Sequence, residues 1–180
     1  MAVNQPRRRK DRPPLDDAGL EQAALSYAGR YATTRAKLAA FLERKLRDRG
    51  WAGEGAPPVA RLVDRMASLG YVDDRAFAAA RAASLGRRGY GARRVDDALR
   101  AAGVDEEDAA DAREAARLGA WQAALRFAER RRIGPFARSE PGREAREKAL
   151  GALLRAGHPP ALARRLAQAR PGEVPEADDP

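Results

Sequence analysis

The chain has 180 residues, of which 35 are Lys or Arg and 26 are Asp or Glu, giving a formal charge of +9 and a pI near 10.7. The absence of cysteine excludes disulfides, thiolate catalysis and cysteine-based zinc sites, and no apolar run approaches the ~20 residues of a membrane-spanning helix. The charge points to a polyanionic partner, nucleic acid above all; the basic set is 31 Arg and 4 Lys, a bias that a GC-rich coding sequence would also produce.

Residues 1–16 read as a disordered basic tail. The run Arg7-Arg8-Arg9-Lys10-Asp11-Arg12-Pro13-Pro14 is charged, rich in proline and has nothing to bury. It lacks the apolar core of a secretory signal, so a cytoplasmic protein is expected. Nine helices follow, and no segment alternates apolar and polar residues long enough to make a strand. The first helix spans about 17–30. The second starts at Thr33 or Thr34, whose hydroxyls can cap free N–H groups; it carries Leu38, Phe41, Leu42 and Leu46 and stops at Gly50. Pro57 and Pro58 suit the first turn of a third helix with the stripe Leu62, Val63, Met66 and Leu69, closed by Gly70.

A fourth helix opens at Asp73 or Asp74, carries Phe77 and Ala80, and ends before Gly86; the loop Gly86-Arg87-Arg88-Gly89-Tyr90-Gly91 needs positive φ. The fifth helix shows Val95, Leu99 and Ala102 and stops at Gly103. The sixth begins at Asp105-Glu106-Glu107-Asp108, acids at the positive end of the helix dipole. The seventh has Trp121, Leu125 and Ala128 and is broken by Gly134-Pro135. The eighth carries Leu150, Leu153 and Leu154 and ends at Gly157. The last, with Leu162 and Leu166, opens at Pro159-Pro160. Residues 171–180 form an acidic tail.

The helices repeat. Ala23-Ala24-Leu25-Ser26-Tyr27-Ala28-Gly29-Arg30 returns one hundred residues later as Ala123-Ala124-Leu125-Arg126-Phe127-Ala128-Glu129-Arg130, and Arg75-Ala76-Phe77-Ala78 lies midway. A second register agrees: Leu42-Leu46-Gly50, Val95-Leu99-Gly103 and Ala149-Leu153-Gly157 each set two side chains on one face with a glycine stop a turn later. The implied fold is all-α: three tandem three-helix repeats over 17–72, 73–118 and 119–170, forming an elongated array with disordered termini.

Enzymatic constellations are missing. No phosphate-cradling loop ends in Gly-Lys-Ser or Gly-Lys-Thr. The single His158, between a helix-ending glycine and two prolines, reads as a capping or surface residue, and without a second histidine a metal site is not expected. Asp73-Asp74 reads as an N-cap rather than a carboxylate pair, since neighbours on a helix do not face each other. No catalytic residue, cofactor or metal is assigned. The basic surface is the candidate site: Arg81, Arg87, Arg88, Arg93 and Arg94 in the second repeat, Arg44, Lys45, Arg47 and Arg49 in the first, and Arg130 and Arg131 in the third. Such clusters can track a phosphate backbone. Arg93 and Arg94 sit in the first turn of a helix, against the dipole's preference. Tyr90 and Trp51 could stack on a base, but plugging a joint between helices is the favoured role.

Gly70-Tyr71-Val72-Asp73-Asp74-Arg75-Ala76-Phe77-Ala78, followed by Gly91-Ala92-Arg93-Arg94-Val95, Leu99 and Gly103-Val104, resembles the central repeat of the RecX family. The preceding unit, with Leu38, Leu42, Leu46, Gly50 and Trp51, is similar to the family's first repeat. The third unit departs more, and Gly53-Glu54-Gly55 is another departure. The resemblance implies a curved array of three three-helix repeats and a noncatalytic regulator; a monomer is expected. Its implied partner is the RecA filament, with single- or double-stranded DNA left open, and its implied effect is restraint of recombinase, ATPase and coprotease activity in DNA repair and the SOS response. It carries over structural positions: Gly70, Tyr71, Asp73, Asp74, Phe77 and Gly103. A stand-alone helical DNA-binding transcriptional regulator is the alternative reading.

Overall fold

The computed structural model describes residues 12–177, so the run Arg7-Arg8-Arg9-Lys10 and the acids Asp178 and Asp179 lie outside the described residues. All regular elements among them are helical: α1 (Asp17–Ala28), α2 (Arg35–Arg49), α3 (Val59–Ser68), α4 (Asp74–Arg87), α5 (Ala92–Ala101), α6 (Glu106–Leu118), α7 (Ala120–Arg131), α8 (Arg143–Arg155) and α9 (Pro160–Gln168), with a 3-10 turn at Gly134–Phe136. They form two compact units that divide between Val72 and Asp73.

The first unit holds α1–α3. Asp16 caps α1, its carboxylate accepting from the Gly19 N–H at 2.8 Å, and Thr34 caps α2 by accepting from the Lys37 N–H at 3.2 Å. Apolar residues at three- and four-residue spacing then meet in one core: Leu20 and Ala24 from α1, Leu38 and Leu42 from α2, Leu62, Val63 and Met66 from α3. Each fully buried leucine contributes about 1.5–3 kcal/mol. The expected stripe of the third helix loses its last member, because the helix ends at Ser68 and leaves Leu69 exposed. Pro57 and Pro58 precede that helix instead of opening its first turn.

The end of the expected tail is ordered. Leu15 is buried in the first core, its N–H donates to Gly50 O at 3.0 Å, and its carbonyl accepts from the Ala52 N–H at 2.8 Å. One apolar side chain and a backbone pairing partner outweigh the polar composition around them.

The second unit holds α4–α9. Its first core gathers Ala78, Ala82 and Leu85 from α4, Val95 and Leu99 from α5, and Ala109 and Ala112 from α6. Alanines on both facing surfaces let α4 and α6 approach closely. The buried stripe of α4 is therefore 78-82-85; Phe77 is half-buried and Ala80 is exposed. The helix also runs through Gly86 to Arg87 rather than stopping before it, and Gly89 takes the left-handed turn alone within that loop. The second core joins Ala124, Phe127, Ala128, Leu153, Ala163 and Leu166. Tyr90 packs against both cores, the joint-plugging role favoured for it.

The two halves of this unit meet backbone to backbone. Gly91 N–H donates to Ala156 O at 2.9 Å, and Arg93 N–H to Gly157 O at 3.3 Å. A Cβ on Gly91 would lie 2.3 Å from the Gly157 oxygen, and one on Gly157 would lie 2.5 Å from Arg94 N. Only glycine permits that approach. At the far end, Gly172 N–H donates to Pro135 O at 2.8 Å, and Arg165 donates to the Glu176 carbonyl, so part of the acidic tail is also anchored.

Candidate interaction surface

The charged residues of α5 and α6 separate into engaged and free groups. Arg113, only 12% exposed, pairs with Asp96 at 2.8 Å and with Glu106. The hydrogen bond that Arg113 donates to Glu106 is the main reason its guanidinium holds its proton more tightly than usual, against the opposing effect of burial. Arg100 pairs with Asp96 and, at 3.1 Å, with Asp97. These contacts tie the second repeat together.

Arg81, Arg87, Arg88, Arg93 and Arg94 are all exposed, and none of them forms an ion pair with a described carboxylate. The guanidinium groups of Arg88 and Arg94 lie 5.3 and 6.0 Å from the centre of the Tyr90 ring. Cation–π contact of this kind orients a guanidinium without neutralising it. The backbone joint adds a residue that reading along the chain missed: Arg155, at the end of α8, lines one cleft with Arg93, Arg94, Asp97, Leu154 and Gly157. Its distance from Arg93 in sequence hides this; the only sequence signal is Gly157, two residues later.

A second cleft of about 660 Å³ runs between α4, α6 and α7. Its walls are small residues, including Ala79, Ala83, Gly86, Ala115 and Gly119, and its rim carries Arg87 and Arg126. In α7, Arg130 and Arg131 lie 5.7 and 5.9 Å from the centre of the Phe127 ring, again without a carboxylate partner. The second and third clusters thus share one compact unit.

In the first unit, Arg44 and Arg47 are exposed and Lys45 is half-buried. Arg44 and Lys45 sit 5.7 and 5.5 Å from the Phe41 ring centre. Arg49 is spent differently: its Nε and one Nη donate to the Pro13 carbonyl at 2.9 and 2.7 Å, which fixes the segment entering α1. Trp51 is half-buried against the first core, and its indole N–H donates to Gly55 O at 3.1 Å. It serves as a joint residue.

The structural positions have separate tasks. Gly70 and Gly103 adopt φ of 75° and 70° at helix ends. Asp73 accepts from the Ala76 N–H at 2.8 Å as the N-cap of α4, while Asp74 is buried in its first turn. Tyr71 is half-exposed and contributes through its backbone, its N–H donating to Met66 O at 2.9 Å. His158 departs from expectation. It is buried, not on the surface: its Nε2 lies 3.1 Å from Gly89 O, and Phe127 meets the ring edge-on at 5.7 Å. The backbone joint pulls it inside. Burial lowers its pKa below the usual 6.5, outweighing the carbonyl contact, so near neutral pH the ring is uncharged and Nε2–H donates to Gly89.

Among the described residues, no three His, Cys, Asp or Glu side chains converge as metal ligands, and no helix is long and apolar enough to cross a membrane. The surface offers exposed, unpaired arginines aimed by aromatic rings. It suits recognition of an extended anionic partner.

Comparison with known proteins agrees with this architecture. Residues 73–112 match the family model of the RecX second three-helix domain. A regulatory protein RecX from Myxococcus xanthus is 34% identical over 183 residues, covering 92% of this chain and 96% of its own length. A regulatory protein RecX from Mycobacterium sp. strain JLS is 38% identical over 96 residues, about half of each chain. The crystal structure of RecX from Lactobacillus salivarius shares the fold, with a TM-score of 0.61 over 84% of this chain and 94% of that one at 17% identity. By its near-full-length likeness to the Myxococcus protein and its tandem three-helix repeats, the chain belongs to the RecX family.

Proposed function

We propose that this protein is a noncatalytic, monomeric regulator that binds the RecA filament in the cytoplasm. It restrains the filament's recombinase, ATPase and coprotease activities during DNA repair and the SOS response. Membership of the RecX family supports the partner, and the carrying observation for the site is the set of exposed arginines without carboxylate partners, Arg81, Arg87, Arg88, Arg93 and Arg94. A ligand that fits one filament state better than another shifts the filament toward that state, so inhibition follows from differential binding alone.

The test is RecA's ATP turnover on single-stranded DNA, titrated with this protein. Turnover falls as the protein is added, and reversing charge at Arg87, Arg88, Arg93 and Arg94 together abolishes most of the effect while helix content by circular dichroism stays the same. Turnover unchanged at saturating protein would refute the reading. Full inhibition by the charge-reversed variant would show that this cluster is only a solvated face. A sequence-selective footprint on duplex DNA, with RecA unaffected, would instead favour a stand-alone DNA-binding regulator.

A further inference from the structure

The first unit carries an aromatic cluster that the family's structural positions do not include. Tyr27, in the last turn of α1, stacks on Phe41 of α2 with ring centres 4.1 Å apart and planes 15° from parallel. Tyr31, just beyond α1, tilts against Tyr27 at 5.4 Å and is 54% exposed. Arg44 and Lys45 stand over the Phe41 ring. Neither cation forms an ion pair with a described carboxylate, and Glu43 and Asp48 on the same helix make none with them.

Core packing accounts for part of this. Tyr27 and Phe41 rest on the first core as half-buried residues. It does not account for Tyr31, which lies outside that core and leaves more than half of its surface in water. An exposed ring gains little from burial, yet here it extends a ring stack whose other end is held by two cations. Aromatic faces beside unpaired cations are the two parts of a site for unpaired nucleotides: bases stack on rings, and the backbone phosphates meet the positive charges. A duplex hides its base faces and would use the cations alone.

We infer that Tyr31, Tyr27 and Phe41, with Arg44 and Lys45, form a stacking site for single-stranded nucleic acid on the first unit. The base lies against Tyr31, the stacked Tyr27–Phe41 pair backs it, and Arg44 and Lys45, at the Phe41 end of the stack, bind a backbone phosphate further along the strand. The site acts on nucleic acid directly and goes beyond the filament-regulator reading, so it is measured without RecA.

The experiment is fluorescence anisotropy of a labelled oligothymidylate of about 20 nucleotides with the full chain, beside a duplex of equal length. The single strand binds more tightly than the duplex. Tyr31→Ala weakens single-strand binding about tenfold and leaves duplex binding unchanged, whereas Tyr31→Phe retains single-strand binding. The double variant Arg44→Ala/Lys45→Ala weakens both and flattens the salt dependence. Because Tyr31 is exposed, its variants fold, which circular dichroism verifies. Equal single-strand affinity for Tyr31→Ala and the parent, duplex preference, or no binding by the parent would each overturn the site. None of these outcomes bears on RecA's ATP turnover, which tests the regulator reading separately.

Discussion

His158 shows how much one side chain can depend on its surroundings. The ring is buried at the meeting of Gly89, Phe127 and the end of α8, where Nε2–H donates to a carbonyl and Nδ1 has no partner among the described residues. A proton added at Nδ1 would place an unpaired charge in the interior. The folded pKa therefore lies below the unfolded value of about 6.5, the unfolded chain takes up the proton first, and stability falls as pH drops through that interval. The unfolding free energy from urea melts should be level above about pH 7 and decline toward pH 5.5, with a slope of at most about 1.4 kcal/mol per pH unit for one proton. His158→Gln should flatten that decline; identical profiles for parent and variant would show that the ring does not titrate on unfolding. Nothing near His158 in the sequence revealed this, because Gly157 and Pro159-Pro160 are what an exposed connection also looks like. The same holds for Tyr31, which gains meaning only from Phe41 on another helix.

At the scale of single elements the sequence was far more readable. Helices announce themselves by the spacing of leucines and by their ends, and both are local. Asp16, Thr34, Asp73 and Asp105 all cap as residues of their type do, with side-chain oxygens accepting from the N–H three residues on. Asp73→Ala should cost about 1 kcal/mol in a urea melt, whereas Asp73→Asn should cost much less; equal losses would mean that charge, and not the cap bond, is what matters. Some local readings failed for physical reasons. Gly86 did not end α4, because a glycine inside a helix costs only about 1 kcal/mol and Leu85, one residue before it, is still held in the core. The stripe of α4 fell on 78-82-85 rather than on Phe77 and Ala80, because alanine is abundant on every face and gives no contrast for periodicity to read. Leu15 was lost in a run of prolines and charges, and its backbone partners in the Gly50–Ala52 segment are too far along the chain to be matched by pattern.

For the whole molecule, threefold recurrence in sequence becomes two compact units, with the second and third repeats sharing one of them. Tyr90 touches both cores of that unit, and the Gly91–Ala156 and Arg93–Gly157 bonds cross between them. Residues 73–180 expressed alone should therefore fold and melt in a single transition, with circular dichroism and tyrosine or tryptophan fluorescence giving the same midpoint. Two separated transitions would mean that the shared tyrosine and the crossing bonds do not couple the repeats. The basic surface was legible as composition, since a charge of +9 needs no fold to be counted. Which arginines are free was not: Arg49 and Arg100 look like Arg47 and Arg93 on paper, and only the position of Pro13 or Asp96 sorts them.

The joint within the second unit has one more implication. Amides and carbonyls are common to every amino acid, so a contact made of them survives almost any exchange of the surrounding letters. Relatives can drift widely across α5 and α8 and still dock these helices in the same pose, provided two places keep a residue without a side chain. Homologues should thus vary freely around Gly91 and Gly157 and seldom at them, and a lineage that loses either one should have rebuilt how its last two repeats adhere.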